Sequence, residues 1–345
     1  MKLGLVFGYW GAAPPEGFVE KAQEAERLGY DSVWVAESWG NDAFTFGAWV
    51  AAHTETIKIG TGVVQISART PTATAMAAVT LDHLSQGRLI LGLGVSGPQV
   101  VEGWYGRPAN RPLARTREYV EVIRRALRRE GPLEFDGEFY PLPYTGEGST
   151  GLGKPLKIMT HPLRADIPIY LGAEGPKNVA QTAEIADGWL PIFYSPYRAP
   201  KVYQAALDSG FKKAGKGKGL AGFDIAATAT VIVTGDVASG LDFVKPMLAL
   251  YIGGMGAREK NFYNDLACRY GFEGAAKRIQ DLYLEGKKAE ATALVPTELA
   301  DEVSLVGPRE RIRDRLAAWR ESPVGTLILG TMQKDALRLI AELCM

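Results

Sequence analysis

Few side chains of the types that perform acid–base or metal chemistry stand where this sequence would expose them. Glu37 is the main candidate, because it ends the otherwise apolar run "SVWVAES". A carboxylate at that point can exchange a proton, and its structural alternative is to cap the helix that follows. The histidines, His53, His83 and His161, fall in helices or in a long insertion rather than at strand ends. No cluster of possible ligands has metal-binding spacing, so the sequence predicts no metal centre and leaves Glu37 as the catalytic candidate.

Three glycines in "LILGLGVSGPQ" have the spacing G-x-G-x-x-G after an apolar run: Gly92, Gly94 and Gly97. In a dinucleotide-binding turn, this spacing precedes a helix whose N-terminus faces a pyrophosphate. Pro98 and the glycine and prolines that follow it predict that this helix is missing and that no continuous helix begins before about Ala114. We therefore interpret the glycines as positions where the backbone approaches a flat ligand closely, with simple barrel packing as the alternative.

The elements that must position these residues alternate between strand and helix along the chain. Apolar runs such as "KLGLVFGYW", "DSVWVAES" and "IKIGTGVVQIS" are each followed by a segment with helical spacing of apolar residues. Four such units come first, and four more follow with interruptions, ending in "VGTLILGT" and "KDALRLIAELC". Strands that are apolar throughout are typical of a parallel sheet covered on both faces. The sequence predicts an α/β fold, a (β/α)8 TIM barrel, with an open doubly wound sheet as the alternative.

No linker or low-complexity run divides the chain, so we expect residues 1–345 to form one barrel domain with insertions at about 131–165 and 255–304. The first insertion reads as a hairpin followed by a glycine-rich loop, long enough to be a lid. The second contains extra helical segments that could cover the barrel mouth. In barrels of this kind the active site lies at the carboxyl ends of the strands.

Charge and cysteine content exclude several classes of function. Lys plus Arg equals Asp plus Glu at 39 each, so the overall attraction to nucleic acid or to an anionic membrane is missing. Two cysteines, Cys268 and Cys344, cannot build a disulfide framework. No apolar run approaches the roughly 20 residues of a membrane span. We expect a cytoplasmic protein that acts on a small molecule and binds neither nucleic acid nor membrane.

Several longer motifs, taken together, are more specific than any one of them. They are "GYDSVWVAES", "GTGV" followed by "ARTP", "LDHLSQGR", "LGLGVSG", and "GPKN" followed by "AEIADGW". This combination resembles the bacterial luciferase-like superfamily, and within it the coenzyme F420-dependent (deazaflavin) oxidoreductases. The resemblance implies a luciferase-like (β/α)8 barrel that holds coenzyme F420 or, in other branches, FMN across the strand ends. It also implies a homodimer, because relatives are commonly dimers.

The resemblance further implies which residues contact the cofactor. A non-prolyl cis peptide bond under the ring is expected between Gly62 and Val63, with Gln65 beside the ring. Ser96 and Gly97 match a cofactor-contacting turn. A helix start near the cofactor's tail favours an anionic group, because its N–H groups are free. The residues that match this turn and helix start are Gly175, Pro176, Lys177, Asn178 and Val179.

The sequence departs from the family pattern at two places. Relatives that oxidise alcohols or sugars pair the acid at the Glu37 position with a following histidine, and Ser38 stands there instead. A second carboxylate after the fourth strand is replaced by Pro98 and Gln99. For this reason the resemblance does not carry over the sugar or alcohol activity.

The hypothesis is therefore an oxidoreductase that transfers a hydride between coenzyme F420 and a small organic substrate, as an F420H2-dependent reductase. Glu37 is its expected acid or base, because proton transfer accompanies hydride movement. Two alternatives remain, an FMN-dependent luciferase-like monooxygenase and a non-catalytic ligand-binding barrel. Three tryptophans are expected to wall the substrate side: Trp10, Trp39 and Trp104.

Overall fold

The described part of the chain, residues 1–215 and 217–344 of a computed structural model, contains a parallel sheet that closes on itself. The last strand, β10, pairs with β1 on one side and with β8 on the other, which completes a ring of eight barrel strands. β3 and β4 together form one of these eight, and both pair with β5. The strands are β1 (Lys2–Phe7), β2 (Ser32–Val35), β3 (Lys58–Thr61), β4 (Val64–Gln65), β5 (Leu89–Gly94), β6 (Ile169–Gly172), β7 (Gly188–Leu190), β8 (Asp224–Val233), β9 (Ser304–Gly307) and β10 (Thr326–Gly330).

Every barrel strand is followed by at least one helix, so the predicted (β/α)8 barrel is confirmed and the open-sheet alternative is not. A π-helical turn, Leu250–Gly254, extends the helix after β8. The helices are α1 (Phe18–Arg27), α2 (Ala43–Ala52), α3 (Pro71–Leu84), α4 (Pro98–Gly103), α5 (Pro112–Arg128), α6 (Pro176–Ile185), α7 (Ala199–Ala214), α8 (Val237–Ala249), α9 (Phe262–Arg269), α10 (Glu273–Leu284), α11 (Lys288–Ala293), α12 (Thr297–Glu302), α13 (Arg309–Glu321) and α14 (Lys334–Cys344).

The barrel interior is built around one large side chain, Trp34 of β2. Its neighbours there include Ile90, Tyr170 and Ile328, which come from three other strands. A Cβ atom at Gly60 would lie 2.3 Å from the Trp34 ring, so that position of β3 admits only glycine. Because successive side chains of a strand alternate between faces, the residues next to Trp34 in β2 point outward and pack under the helices.

Two short elements differ from the sequence-based expectation. A helix does begin directly after Gly97, since α4 has Pro98 in its first turn; the prediction that no helix stands there was wrong, although α4 ends after six residues. Pro is well tolerated in a first helical turn, where its missing N–H has no partner to lose. β9 was not predicted, because the four-residue run "SLVG" is too short to show periodicity. It pairs with the second half of β8, outside the ring.

The two predicted insertions have different structures. Residues 131–165 contain only isolated antiparallel bridges, Leu133 with Leu156 and Phe135 with Leu142, so the expected hairpin is reduced to a narrow turn. The second insertion carries α9 to α12, and Arg269 of α9 reaches the strand ends, where it donates to the backbone oxygen of Glu174 at 3.0 Å. None of the helices within the described ranges is both long and apolar enough to cross a membrane.

Candidate active site

Above Trp34, towards the carboxyl ends of the strands, three inward positions of the barrel carry glycine. Gly62 follows β3, Gly172 ends β6 and Gly330 ends β10. A Cβ atom at any of these three would meet its nearest neighbour at 3.5 to 3.7 Å, which is ordinary van der Waals contact. Protein packing therefore does not require glycine at these positions. Their common effect is that these three positions add no side chain to the floor of the mouth, which leaves room for a flat ring system across the strand ends.

The Gly62–Val63 peptide bond is cis, as the resemblance implied. The Val63 side chain lies over the neighbouring strands, since Cβ atoms built at Gly94 and Gly172 would approach it at 2.4 and 3.5 Å. Gly62 and Val63 thus stand at the middle of the floor, in the place expected for residues beneath a ring.

Gly92 and Gly94 serve a different purpose from the one the sequence analysis gave them. A Cβ atom at Gly92 would lie 1.9 Å from the Thr61 backbone oxygen, and one at Gly94 would lie 2.4 Å from a Val63 methyl group. These glycines make room for β3 and for Val63, so the interpretation that they leave space directly for a ligand was wrong. The packing alternative holds for both.

Glu37 faces away from the barrel interior. It lies two residues beyond the end of β2, and its partners belong to the start of α2, to β4 and to Arg69 after β4. There its carboxylate, in a residue only 5% exposed, receives backbone N–H groups from Ala43 and Gln65, each at 3.1 Å. Both guanidinium nitrogens of Arg69 complete the set at 3.0 and 3.1 Å. This geometry favours the helix-capping alternative, and it ties the start of α2 to β4.

Replacing Glu37 with glutamine is expected to lower the free energy of unfolding by about 1 to 3 kcal/mol, because Arg69 loses a charged partner in a poorly hydrated place. Urea denaturation measures this change. Glu121→Gln is a suitable control, because Glu121 pairs with Arg125 on the exposed face of α5 and should change stability by less than about 0.5 kcal/mol. Unchanged stability of the Glu37 variant together with lost turnover would restore the acid–base role predicted from the sequence.

Buried polar atoms without a partner in the protein concentrate near the mouth. Such an atom costs about 1 to 3 kcal/mol, and native proteins hold few of them. A ligand with polar groups that is seated at the strand ends could supply the missing partners after small side-chain movements, and a deazaflavin or flavin has such groups at its ring edge. Of the eight atoms of this kind among the described residues, five lie at or beside the strand ends: Trp10 Nε1, Gln65 Oε1, Ser67 Oγ, Glu174 Oε2 and Arg269 Nε.

Glu174 is a residue that the sequence analysis did not select, although it ends the apolar run "PIYLGAE" as Glu37 ends another. It lies two residues beyond the end of β6, and its carboxyl group acts on Tyr251, whose hydroxyl group contacts Tyr9 after β1. The carboxyl group therefore lies on the side of the mouth. The Ile192 N–H donates to Oε1 at 2.8 Å, and Oε2 has no partner. Burial raises the pKa of Glu174 from its ordinary 4.5 to about 8. Burial outweighs the Ile192 N–H and the nearby Arg269 guanidinium, which both lower the pKa, so we expect the carboxyl group to hold its proton at pH 7.

An aromatic wall stands beside Glu174. Phe193 packs edge to face against Tyr251 and Tyr263, with ring centres 5.1 and 6.3 Å apart. Burial is the largest cause that raises the pKa of both tyrosines. Tyr9, which follows β1, lies 3.4 Å from Tyr251 between hydroxyl oxygens. This side of the mouth is thus poorly hydrated, which keeps the Glu174 carboxyl neutral.

The remaining predicted contacts lie on two loops. Ser96 has a left-handed backbone with φ of 59°, and Gly97 directly precedes α4. Gly175 precedes α6, whose start no side chain caps. The rest of the predicted tail-binding set occupies the first turn of α6: Pro176, Lys177, Asn178 and Val179.

Trp10 and Trp39 lie in loops that follow β1 and β2, and Trp104 lies in the turn that ends α4. Trp10 is half-buried and packs edge to face against Phe46 at 5.2 Å. Trp39 and Trp104 are 54% and 63% exposed. Large exposed apolar side chains at the rim of a mouth favour contact with an organic ligand.

Comparison with known proteins places this barrel in a family. The model of the luciferase-like monooxygenase family matches residues 6–326. The chain therefore belongs to that family.

Among individual relatives, a Mycobacterium tuberculosis protein named "Putative coenzyme F420-dependent oxidoreductase" is 52% identical over 343 residues, which is 99% of both chains. The 5,10-methylenetetrahydromethanopterin reductase of Archaeoglobus fulgidus is 28% identical and covers 92% of this chain and 91% of its own. The solved structure of the coenzyme F420-dependent tetrahydromethanopterin reductase from Methanopyrus kandleri superposes with a TM-score of 0.80 at 24% identity, covering 99% of this chain and 97% of its own. That last likeness concerns the fold.

Proposed function

We propose that this chain is an oxidoreductase that binds coenzyme F420 at the barrel mouth and transfers a hydride between it and a small organic substrate, in the direction of substrate reduction. The observation that carries the proposal is the 52% identity, over 99% of the chain, to a protein whose name gives this cofactor. The glycine floor supports it independently, because it leaves room for a flat ring. When bound, F420 accepts or supplies a hydride at C5 of its deazaflavin ring.

Different residues of this chain contact different parts of the cofactor. Gly62 and Val63 form the floor, and Gln65 offers an unpartnered amide oxygen beside it. The Ser96–Gly97 turn lies at the rim. The uncapped start of α6 from Gly175 onward receives the anionic tail through the positive end of its helix dipole.

In the same scheme Glu174, and not Glu37, holds the proton that accompanies the hydride. Its carboxyl group is neutral at pH 7, and its Oε2 atom has no other partner. Glu37 acts as a positioning residue, because both of its oxygens are engaged by Arg69 and by backbone N–H groups that fix β4 and Gln65.

A titration of the cofactor-free protein with F420 and, separately, with FMN tests the proposal, with the fluorescence of each cofactor as the readout. We expect F420 to bind at least tenfold more tightly than FMN. Preference for FMN would favour a flavin-dependent monooxygenase on the same barrel. Binding of F420 without turnover of any carbonyl, imine or activated alkene in a screen with F420H2 would favour the non-catalytic barrel.

We also propose a homodimer in the cytoplasm. α2 and α3 pack side by side and present Trp49, Met76 and Leu84, which are 56 to 64% exposed. Large exposed apolar side chains on two neighbouring helices are typical of a protein interface. The cytoplasmic location rests on the scarcity of cysteine. Light scattering should give twice the chain mass of 37.3 kDa, and cell fractionation checks the compartment.

A further inference from the structure

A groove of about 660 Å³ leads away from the mouth on the side of β4 and β5. Its inner end is formed by Ser67 and Ser96, which follow these two strands. Phe139 and Tyr140 of the first insertion and Phe262 of α9 form apolar parts of its walls. The groove therefore connects the strand ends, where the reaction is proposed, with the outer surface.

The groove is positively charged. Arg69, Arg107, Arg115 and Lys260 line it, and no aspartate or glutamate does. Arg69 is already paired with two carboxylates, those of Glu37 and Asp42. The other three cations take part in no ion pair within the described ranges. Three uncompensated charges around one concave surface attract an anion more strongly than the same charges spread over a convex one.

One of these cations is held differently from an ordinary surface side chain. The Arg115 guanidinium lies 4.2 Å from the centre of the Phe139 ring and donates to Asn110 at 2.9 and 3.0 Å, so it is fixed in place. Lys260 is exposed, and only its backbone is fixed, by donation of its backbone N–H to the Ala257 oxygen. At the inner end, the Ser67 hydroxyl is buried and has no hydrogen-bond partner. A ligand that reaches from the strand ends to the cations could give the Ser67 hydroxyl a hydrogen-bond partner and place a negative charge among the cations.

The groove is separate from the helix start that would receive the cofactor's tail. None of the residues from Gly175 to Val179 lines it; Pro176 and Lys177 instead line a second groove between the outer helices α5, α6 and α7. With the tail directed to α6, the cations beside β4 and β5 have no assigned ligand.

We propose that this groove is a substrate subsite and that the natural substrate is anionic, with a carboxylate or phosphate group on the arm that extends from its reacting carbon. This proposal rests on the proposed function, which identifies the reaction as a hydride transfer between F420 and the substrate. Arg107, Arg115 and Lys260 bind the anionic group, and the aromatic side chains contact the arm that joins it to the reacting carbon.

The test uses inorganic pyrophosphate as the probe, titrated by calorimetry into protein saturated with F420. The variant is R107Q/K260Q, in which both changed residues are exposed. Its matched control is R278Q/K277Q, which removes one Arg and one Lys charge from the exposed face of α10. We expect at least a tenfold loss of pyrophosphate affinity in the groove variant, less than a twofold change in the control, and unchanged F420 affinity in both.

Three outcomes would overturn the proposal. Equal pyrophosphate binding by all three proteins would show that the anion does not bind in the groove. If pyrophosphate displaces F420, or if R107Q/K260Q loses affinity for F420 but not for the tail-free deazaflavin core, the groove belongs to the cofactor's tail. If the protein binds no F420 at all, only the proposed function is contradicted. Pyrophosphate can then be titrated into the cofactor-free protein, and its affinity for the groove variant and the control still tests the groove.

Discussion

Alanine in place of Gly92 is expected to lower the free energy of unfolding by more than about 3 kcal/mol. This is the upper end of the loss usually seen when a substitution overpacks a protein core. The added Cβ atom would lie 1.9 Å from the Thr61 backbone oxygen and 2.9 Å from a Leu190 methyl group. Backbone cannot move aside as a flexible side chain can. In addition, Thr61 exchanges two hydrogen bonds of 2.8 Å with the backbone of Gly92, one to its oxygen and one from its N–H. Any shift between β3 and β5 would break them.

Gly62→Ala is the matched comparison, since its Cβ atom would meet Trp34 at 3.7 Å, an ordinary contact. We expect its stability to stay within about 1 kcal/mol of the wild type, the range of a surface glycine change without strain. The methyl group would instead rise into the floor of the mouth and weaken F420 binding at least tenfold. Urea denaturation and fluorescence titration measure the two effects. Normal F420 affinity in the Gly62 variant would show that the ring does not lie on this floor.

The second large effect is expected from Glu174→Gln. In steady-state assays with a substrate that the F420H2 screen identifies, kcat should fall at least about 100-fold, as is usual when a general acid is removed. F420 affinity should change less than threefold, because the glutamine amide keeps the size and the hydrogen-bonding pattern of a neutral carboxyl group. The Glu37→Gln variant should instead lose both F420 affinity and stability, because Glu37 holds the backbone N–H of Gln65.

Stability against pH tests the protonation state of Glu174 without any substrate. Between its ordinary pKa of 4.5 and its pKa of about 8 in the folded chain, the folded chain holds a proton that the unfolded chain has released. Rising pH therefore favours unfolding across this window, by up to about 1.4 kcal/mol for each pH unit. The variant lacks this dependence, so we expect Glu174→Gln to gain stability relative to the wild type from pH 5 to pH 8. Parallel stability curves would mean that Glu174 is already ionised at neutral pH.

Much of the architecture could be predicted from the sequence because the signals are local. An apolar run followed by helical spacing defines each βα unit within about 30 residues, and eight of them leave few arrangements open. The cis bond at Gly62–Val63 and the α6 start followed from motif resemblance. β9 and α4 could not be predicted in the same way, since four and six residues are too few to establish a period.

The sequence by itself determined the barrel, its parallel strands and the loops on which a site must lie. Only the tertiary structure decided which side chains enter that site. Glu37 and Glu174 look alike in the sequence, each a carboxylate at the end of an apolar strand. Parallel barrel strands are apolar on both faces, so the pattern does not show which residues face inward. Closure of the ring around Trp34 sets the inward face of each strand: it turns Glu37 out to Arg69 and Glu174 in towards the mouth.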